Sequence, residues 1–272
     1  MCPRLSASPT RHRPRITSVA RVDVESSDVR TIWFRDEACL NAQPGQFVMV
    51  WVPGVDEVPM SLSAIDVEGL SAITVKRIGE ATESMHRLSV GDLIGVRGPY
   101  GRGFTVRRGR CLAVAGGIGV SAIAPLVERL SEAGAEVTVV YGAKTRDELV
   151  LLDRLRGSSD RLIVLTEDGS FGLRGVATDP LDELLEEGFD VVYTCGPEAM
   201  MHTVFLKADR RGIPVEACLE RIMRCCVGIC GSCVVDGVRL CVEGPVLGSE
   251  TLRRLEEFGR FRREFSGRLV RI

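Results

Sequence analysis

Net charge, histidine and long apolar runs are all scarce in this sequence. The 272 residues carry a formal net charge of -2 and three histidines. A nearly neutral chain gives no reason to expect a nucleic-acid partner or an acidic membrane surface. No apolar run approaches the roughly 18 to 20 residues of a membrane-spanning helix, and the first residues lack the apolar core of a signal peptide. We therefore expect a cytoplasmic protein that has no membrane partner.

The few histidines offer no catalytic group. His12, His86 and His202 have no obvious catalytic companion, so we interpret them as surface or packing residues. The 45% of hydrophobic residues and the 29 glycines are typical of a globular protein with many tight turns, and not of a disordered chain. The length suffices for two modest domains and a small appendage.

The first half of the chain predicts a short tail and then a barrel. Residues 1–15 are rich in arginine and proline and predict a poorly ordered tail, with a targeting role as a weaker alternative. From 16 to 108, short β-branched runs alternate with Pro-Gly and Gly-Asp turn signals, which indicates an antiparallel β-barrel. The predicted strands include 31–34, 46–52, 72–76 and 93–97.

A different rhythm follows over residues 109–213, where predicted strands alternate with predicted helices. Strands are expected at 111–115, 136–141, 161–166 and 190–194. Helices are expected at 120–133, 146–156, 179–187 and 198–211. This alternation predicts a parallel sheet that is covered by helices on both faces.

Cysteine is abundant and unevenly distributed. Of the ten cysteines, six fall within 24 residues, namely Cys218, Cys225, Cys226, Cys230, Cys233 and Cys241. In a reducing compartment such a cluster indicates metal binding before it indicates disulfides. The segment 214–272 is too small to bury much apolar surface alone, so a bound metal group would be its natural organising centre.

The ligand spacing of this cluster points to iron and sulfur. It reads Cys225-x4-Cys230-x2-Cys233-x7-Cys241. A C-x4-C-x2-C loop with a distant fourth cysteine is the plant-type [2Fe-2S] arrangement, and Gly228 and Gly231 would let the loop wrap such a group. A structural zinc site is the alternative, although zinc sites usually pair two short cysteine hooks. Cys226 is interpreted as a small buried hydrophobe, and Cys218 could replace a ligand only if the loop ran differently.

Two features of the middle region indicate a nucleotide site. Gly116, Gly117 and Gly119 lie between a predicted buried strand and a helix, where backbone can approach an anionic ligand. Their G-G-x-G spacing does not match the G-x-G-x-x-G fingerprint and is weak evidence alone. Cys195 and Gly196 follow a later strand, at the edge where open α/β sheets bind ligands. Cys195 could lie beside a nicotinamide ring or could be a merely packed thiol.

The motifs together resemble a known family. Gly116-Gly-Ile-Gly, Tyr141-Gly-Ala-Lys, Thr166-Glu-Asp-Gly-Ser and Cys195-Gly-Pro-Glu-Ala-Met are similar to successive strand-end motifs of the ferredoxin-reductase superfamily. In that superfamily a flavin-binding barrel precedes a nicotinamide-binding α/β domain. The segment Glu220-Arg-Ile-Met-Arg-Cys-Cys with its following cysteines resembles the cluster loop of the electron-transfer subunits of NAD-linked dihydroorotate dehydrogenase. The resemblance covers almost the whole chain.

The resemblance also implies an FAD site in the barrel. The family motif Arg-Pro-x-Ser appears here as Val58-Pro59-Met60-Ser61, so Val58 replaces the arginine expected at the pyrophosphate. Lys76 or Arg77 could take that role. A second family motif, Gly-Thr at the start of a helix under the pyrophosphate, is matched by Ala81-Thr82. The strand that resembles the isoalloxazine-lining one contributes Thr74, Val75 and Lys76. Without this pattern, Ser61 and Thr82 would be interpreted as ordinary turn and cap residues.

The resemblance implies a three-part electron-transfer subunit with FAD, a [2Fe-2S] cluster and NAD. It assigns the FAD barrel to 16–108, the NAD domain to 109–213 and the cluster domain to 214–272. Electrons would pass from the FMN of a catalytic dihydroorotate-oxidising partner to the cluster, then to FAD and NAD, in pyrimidine biosynthesis. The assembly would contain two of each subunit. Hydride transfer to flavin demands no acid-base residue, so no catalytic side chain is expected.

Other functions stay open at this point. A related reductase subunit of a hydrogenase, sulfide dehydrogenase or ferredoxin:NADP reductase complex would share the same plan. A zinc-stabilised binding module is the alternative from another class. The choice between NAD and NADP is also open, because the cations that follow Tyr141 could meet a 2'-phosphate or could simply be solvated.

Overall fold

The computed structural model describes residues 9–264 and 266–272. Within the predicted tail, residues 1–8 lie outside this range, whereas residues 9–15 lie inside it. Pro9–His12 form a 3-10 helix, and the Tyr100 hydroxyl donates a hydrogen bond of 3.1 Å to the Arg11 carbonyl. Arg15 begins the first strand and binds Asp36 through two hydrogen bonds of 2.7 and 3.0 Å. Contacts distant in sequence therefore connect residues 9–15 to the barrel.

Six antiparallel strands close a barrel. They are β1 (Arg15–Val24), β2 (Val29–Phe34), β3 (Phe47–Val52), β4 (Asp56–Val67), β5 (Leu70–Lys76) and β6 (Leu93–Tyr100). Their order around the barrel is β1-β2-β5-β4-β3-β6, which confirms the predicted barrel. Two short helices accompany them, α1 (Glu37–Leu40) and α2 (Glu80–His86). Strand alternation places Val48 and Val50 inside the barrel, whereas Phe47 and Met49 belong to a core outside it.

The middle region alternates strands and helices around a parallel sheet, as predicted. Its strands are β7 (Arg110–Gly116), β8 (Glu136–Ala143), β9 (Arg161–Thr166), β10 (Leu173–Arg174), β11 (Val191–Cys195) and β12 (Val215–Cys218). Its helices are α3 (Val120–Glu132), α4 (Leu152–Ser158), α5 (Leu181–Leu184) and α6 (Glu198–Asp209). The strand order is β10-β9-β8-β7-β11-β12. The chain therefore adds β8, β9 and β10 on one side of β7, and then β11 and β12 on the other side. In open α/β sheets, such a switch point is where ligands bind.

The C-terminal segment adds short elements and rejoins the sheet. It contains β13 (Val234–Val235), β14 (Val238–Arg239), α7 (Leu240–Glu243), β15 (Val246–Gly248), α8 (Ser249–Leu252), β16 (Phe261–Arg263) and β17 (Leu269–Arg271). Strand β15 pairs antiparallel with β12, where Ala217 faces Leu247. The otherwise parallel sheet thus gains a seventh, antiparallel edge strand from the segment that contains the cysteines.

The helix predicted at 146–156 is interrupted. Arg146–Glu148 form a 3-10 turn, Leu151 adopts a left-handed φ of 58°, and α4 begins only at Leu152. The buried Tyr141 hydroxyl donates to the Glu148 carbonyl at 3.1 Å and accepts from the Val150 N–H at 3.2 Å. These two bonds satisfy backbone groups that a continuous helix would otherwise pair. The helix predicted at 179–187 is likewise divided into α5 and the 3-10 turn Leu185–Glu187.

One hydrophobic core joins all three parts. Phe47, Met49 and Tyr100 of the barrel share it with Leu112 of the sheet and with buried cysteines of the C-terminal segment. The cysteine loop therefore packs against the outer face of β3 and β6. Across the described residues, no helix combines the length and the apolar character needed to span a membrane.

The Tyr141 bonds predict a stability effect. Tyr141→Phe leaves one buried N–H and one carbonyl without their partner, which should lower the free energy of unfolding by about 1–3 kcal/mol. Chemical denaturation of the purified protein measures this difference. Thr203→Ala is the control, because that hydroxyl bonds only to the Ala199 carbonyl on an exposed helix face. Equal effects of the two substitutions would contradict the role assigned to Tyr141.

Candidate functional site

The four predicted ligand cysteines form two pairs at one end of the C-terminal segment. Cys225 and Cys230 lie on the loop between β12 and β13, and the Cys230 amide N–H donates to the Cys225 sulfur at 3.4 Å. Cys233 precedes β13, and its thiol contacts that of Cys241 on α7. The left-handed φ of 76° at Gly228 fits glycine and bends the loop between the first two cysteines.

Hydrogen bonds lower the pKa of one thiol in each pair. Burial raises the pKa of the Cys225 thiol, but backbone N–H groups of the loop, led by that of Cys230, outweigh burial and lower the pKa to about 6. The side-chain hydrogen bond with Cys241 lowers the pKa of Cys233 to about 6. The same bond raises the pKa of Cys241 well above its usual value. Because the thiolate is the form that binds iron, both pairs are prepared for a metal.

The pairing of the cysteines agrees with the ligand arrangement of a two-iron group. A structural zinc needs all four ligands around one centre, whereas a [2Fe-2S] cluster takes two cysteines on each iron. Four cysteines in two pairs therefore match the donor set of a [2Fe-2S] cluster.

The two spare cysteines of this region lie in different places. Cys226 is 3% exposed, and burial raises its pKa to about 12, so it stays a neutral thiol packed beneath the loop. Cys218 is on β12, directly beside Cys195 of β11. The structure thus places Cys218 in the sheet, apart from the loop that contains the two pairs.

The glycine turn lies at the switch point of the sheet. Gly117–Gly119 form a 3-10 turn between β7 and α3, beside the end of β11. A Cβ on Gly116 would lie 2.6 Å from the Met200 sulfur, and one on Gly119 would lie 2.5 Å from the Cys195 carbonyl oxygen. Those two glycines let the ends of neighbouring strands pack closely, and so does Gly196 against Gly116.

Gly117 differs from its neighbours. Its φ is 50°, and a Cβ there would meet no atom within 4 Å. The turn therefore leaves open space at Gly117, next to the N-terminus of the 13-residue helix α3. Free N–H groups and the helix dipole make such a place suitable for an anionic group. The residues fit the pyrophosphate of a dinucleotide.

Cys195 borders the same turn as a neutral thiol. A side-chain hydrogen bond with Cys218, together with burial, raises the pKa of Cys195 well above its usual value. The residue is partly buried at the end of β11. A neutral, weakly nucleophilic group at this position suits packing against a ligand ring, and not covalent chemistry.

The predicted flavin residues are only partly brought together. Pro59 and Ser61 of β4 pair with Met49 and Phe47 of β3, while Met60 packs against the barrel core. On the neighbouring strand β5, the buried hydroxyl of Thr74 bonds to those of Thr31 and Ser63, and the side chain of Val75 points into the barrel core. Thr74 and Val75 therefore have only backbone groups to offer a flavin.

Lys76 and Arg77, the two cations considered for the pyrophosphate, differ in whether their charge is already paired. Lys76 binds Glu148 at 2.8 Å and lies 3.9 Å from Asp28, so its charge is already paired. Arg77 is exposed, and its side chain has no hydrogen-bond or ion-pair partner among the residues described. Of the two, Arg77 is the cation that remains available to an anionic ligand.

The turn predicted to lie under the pyrophosphate is used partly for capping. The Thr82 hydroxyl, one residue after Ala81, accepts from the N–H groups of Ile78 and Gly79 and donates to the Gly79 carbonyl. The first turn of α2 also contains Glu80 and Glu83, whose negative charges oppose a phosphate. The helix is thus a weaker anion site than the motif implies, which increases the need for Arg77.

Sequence reasoning missed two ion pairs that join the parts. Arg221 and Glu198 form a buried pair between the segment that precedes the cysteine loop and the start of α6. Arg97 of β6 binds Glu57 of β4 at 2.5 Å and also contacts the cysteine loop. Glu198 follows the quoted Cys195-Gly-Pro motif and Arg221 lies in the quoted segment that begins at Glu220, but no local pattern indicates that the two pair.

Comparison with known proteins identifies the family. The family model for the iron-sulfur cluster binding domain of dihydroorotate dehydrogenase B matches residues 220–253, which contain both cysteine pairs. The chain is 44% identical over 261 residues to a probable dihydroorotate dehydrogenase B (NAD+) electron transfer subunit of Methanocaldococcus jannaschii, with 95% of this chain and 98% of that one covered. The chain belongs to the family of dihydroorotate dehydrogenase B electron-transfer subunits. The resemblance seen in the motifs is confirmed.

Further similarities agree with this family. The probable dihydroorotate dehydrogenase B (NAD+) electron transfer subunit of Methanothermobacter thermautotrophicus is 45% identical over 260 residues, covering 94% of this chain and 97% of that one. Among solved structures, an NADH-dependent reduced ferredoxin-NADP oxidoreductase matches with a TM-score of 0.78 and 33% identity, over 90% of this chain and 94% of that one. The ferredoxin reductase of carbazole 1,9a-dioxygenase, with 19% identity, a TM-score of 0.60 and coverage of 74% and 66%, shows the fold alone.

Adjacent cysteines allow a matched test of the cluster site. Cys225→Ala removes one of the four proposed ligands and should abolish most of the bound iron and acid-labile sulfide, with loss of visible absorbance. Cys226→Ala removes the neighbouring neutral thiol and should leave all three unchanged. Metal and sulfide assays on anaerobically purified protein measure the outcome. Full iron content in Cys225→Ala would contradict the assignment.

Open space at Gly117 allows a test of the nucleotide site. Asparagine and aspartate have nearly the same size and both tolerate a left-handed φ, so Gly117→Asn and Gly117→Asp differ mainly in charge. If a pyrophosphate binds there, Gly117→Asp should raise the KM for NADH about tenfold above that of Gly117→Asn, which corresponds to about 1.4 kcal/mol. Steady-state kinetics with an artificial acceptor measure it. Equal KM values would place the pyrophosphate elsewhere.

Proposed function

We propose that the chain is the electron-transfer subunit of an NAD-linked dihydroorotate dehydrogenase. It works beside a catalytic FMN subunit that oxidises dihydroorotate to orotate in pyrimidine biosynthesis. The observation that carries this proposal is the double cysteine pair, which lies inside the segment 220–253 that matches the cluster domain of this enzyme. The whole-chain identity to probable electron-transfer subunits of the same enzyme supports it.

Each cofactor has a proposed set of residues in a proposed domain. The [2Fe-2S] cluster is assigned to the domain 214–272 and to Cys225, Cys230, Cys233 and Cys241. NAD is assigned to the domain 109–213 and to Gly116, Gly117, Gly119, Cys195 and Gly196. FAD is assigned to the barrel 16–108 and to Pro59, Met60, Ser61, Thr74, Val75, Lys76, Ala81 and Thr82. Arg77 joins the FAD set as the cation that substitutes for the arginine missing at Val58.

The protein contributes binding and orientation. When bound, the flavin supplies the exchange between the two electrons of a nicotinamide hydride and the single electrons of an iron-sulfur cluster. The open backbone at Gly117 and the dipole of α3 attract the anionic part of the dinucleotide. The neutral Cys195 thiol packs at the edge of the same turn without offering a nucleophile. Loop amides stabilise the thiolate of Cys225 and so favour metal ligation.

The proposal places the protein in the cytoplasm. A reducing compartment keeps cysteine thiols from forming disulfides. Both pairs, Cys225 with Cys230 and Cys233 with Cys241, are then available as metal ligands. The partner is proposed to be the dihydroorotate-oxidising subunit, because the relatives are described as electron transfer subunits of that enzyme.

A second candidate follows from one structural similarity. The NADH-dependent reduced ferredoxin-NADP oxidoreductase covers nearly the whole chain at 33% identity. A subunit of such a complex would use the same barrel, sheet and cluster loop with a different partner. Purification of the chain with its natural partner discriminates the two. A dihydroorotate-oxidising FMN protein supports the first candidate, and a ferredoxin-linked, NADP-reducing partner supports the second.

The division of labour predicts a specific activity pattern. The isolated chain, purified anaerobically with its cofactors, should oxidise NADH with an artificial acceptor such as ferricyanide. It should form no orotate from dihydroorotate, because that oxidation belongs to the partner. Spectrophotometric assays measure both activities, and adding the partner should restore orotate formation linked to NAD. Orotate production by the chain alone would contradict the proposal.

A further inference from the structure

Arg97 is a charged residue placed where the barrel meets the cysteine loop. Its side chain is 14% exposed on β6, and its guanidinium grips the Glu57 carboxylate with Nε at 2.5 Å and Nη2 at 2.6 Å. Glu57 immediately precedes the Val58-Pro59 motif on β4. A bidentate arginine-carboxylate pair has a fixed geometry, so Glu57 of the barrel orients the guanidinium of Arg97.

The remaining donors of Arg97 point at the loop that contains the first cysteine pair. Nη2 donates to the Arg224 carbonyl at 3.0 Å, and Nη1 donates to the Cys225 carbonyl at 3.4 Å. Nη1 also lies 3.2 Å from the Tyr100 hydroxyl. These two carbonyls belong to a stretch without helix or strand, so Arg97 supplies hydrogen bonds that regular structure does not.

We propose that Arg97 and Glu57 form a compensated charge pair that holds the loop at Cys225 and balances two opposite charges, each of which alone would shift the reduction potential of the cluster bound there. The inference rests on the proposed function, since it takes Cys225 as a ligand. Arg97 is a positioning residue, because it hydrogen-bonds to the backbone carbonyl of the proposed ligand Cys225. Its charge acts on the cluster through a partly buried, low-dielectric region.

The sign of each effect follows from electrostatics. One-electron reduction makes an iron-sulfur cluster more negative, so a nearby uncompensated positive charge raises its reduction potential and a negative charge lowers it. In the natural pair the charges of Arg97 and Glu57 largely cancel. Removing the carboxylate leaves Arg97 uncompensated, and removing the guanidinium leaves Glu57 uncompensated. The two neutral substitutions must therefore shift the potential in opposite directions.

The experiment is a redox titration of the complete chain with its cofactors, followed by visible and electron paramagnetic resonance spectra. Glu57→Gln should raise the midpoint potential of the cluster, and Arg97→Gln should lower it. The double substitution should return it toward the natural value. Both single variants lose the same ion pair, so simple loosening of the loop would move both potentials in the same direction. Shifts of the same sign, or no shift in either variant, overturn the inference.

Two controls keep the result decisive. Arg97→Lys retains the positive charge but cannot form the bidentate pair. The midpoint potential of the cluster in this variant should therefore stay close to the natural one, although the loop is held less tightly. Arg154 and Glu128 form a comparable bidentate pair between α3 and α4, at 2.8 and 2.9 Å, and their Gln variants should leave the potential unchanged. If Arg97→Gln loses its iron, the shift in Glu57→Gln decides, and absence of that shift overturns the inference.

Failure of the proposed function would look different. In that case the unsubstituted chain, purified anaerobically, would contain neither iron nor acid-labile sulfide. Failure of the inference alone would leave a chain with its cluster and its visible spectrum, whose potential does not respond to Glu57 and Arg97.

Discussion

The shape of the cysteine loop depends on a hydrophobic core that the loop shares with the rest of the molecule. Between β12 and β13 the chain forms no helix or strand, so few backbone hydrogen bonds stabilise it locally. Its buried side chains Cys226 and Cys233 instead pack in one cluster with Phe47 and Met49 of the barrel. A segment of this size cannot bury enough apolar surface alone. The close pairing of the thiols, and hence their capacity for a metal, depends on that shared core.

Signals that are local in sequence were sufficient for the main architecture. Alternating β-branched runs predicted the barrel, strand-helix alternation predicted the parallel sheet, and cysteine spacing predicted the ligand loop. Features set by distant contacts were not predictable. The break before α4 depends on the hydroxyl of Tyr141, and the pairing of Lys76 depends on Glu148, 72 residues away. The pair between Glu57 and Arg97 spans 40 residues and lacks any local pattern.

The glycine turn shows why a motif can identify a place without assigning a role to each residue. Sequence reasoning grouped Gly116, Gly117 and Gly119 as ligand contacts. In the structure, Gly116 and Gly119 are required by the close packing of neighbouring strand ends, and only Gly117 faces open space. Gly196 belongs to the packing group too. In this turn, glycine allows close packing at some positions and leaves space for a ligand at another. The sequence pattern does not tell these positions apart, whereas the contacts in the structure do.

The antiparallel pairing of β15 with β12 has a consequence for how electrons move. Many redox modules swing on a flexible tether, and solvent viscosity then limits how often their metal centre approaches a neighbour. Here the segment with the cysteines has no such tether, because its strand β15 is hydrogen-bonded to β12 at the edge of the nucleotide-binding sheet. The strand pairing and the shared core consequently attach the segment with the cysteine pairs to both the sheet and the barrel. Electron transfer between groups bound in these parts would then not wait for a tethered module to swing into place.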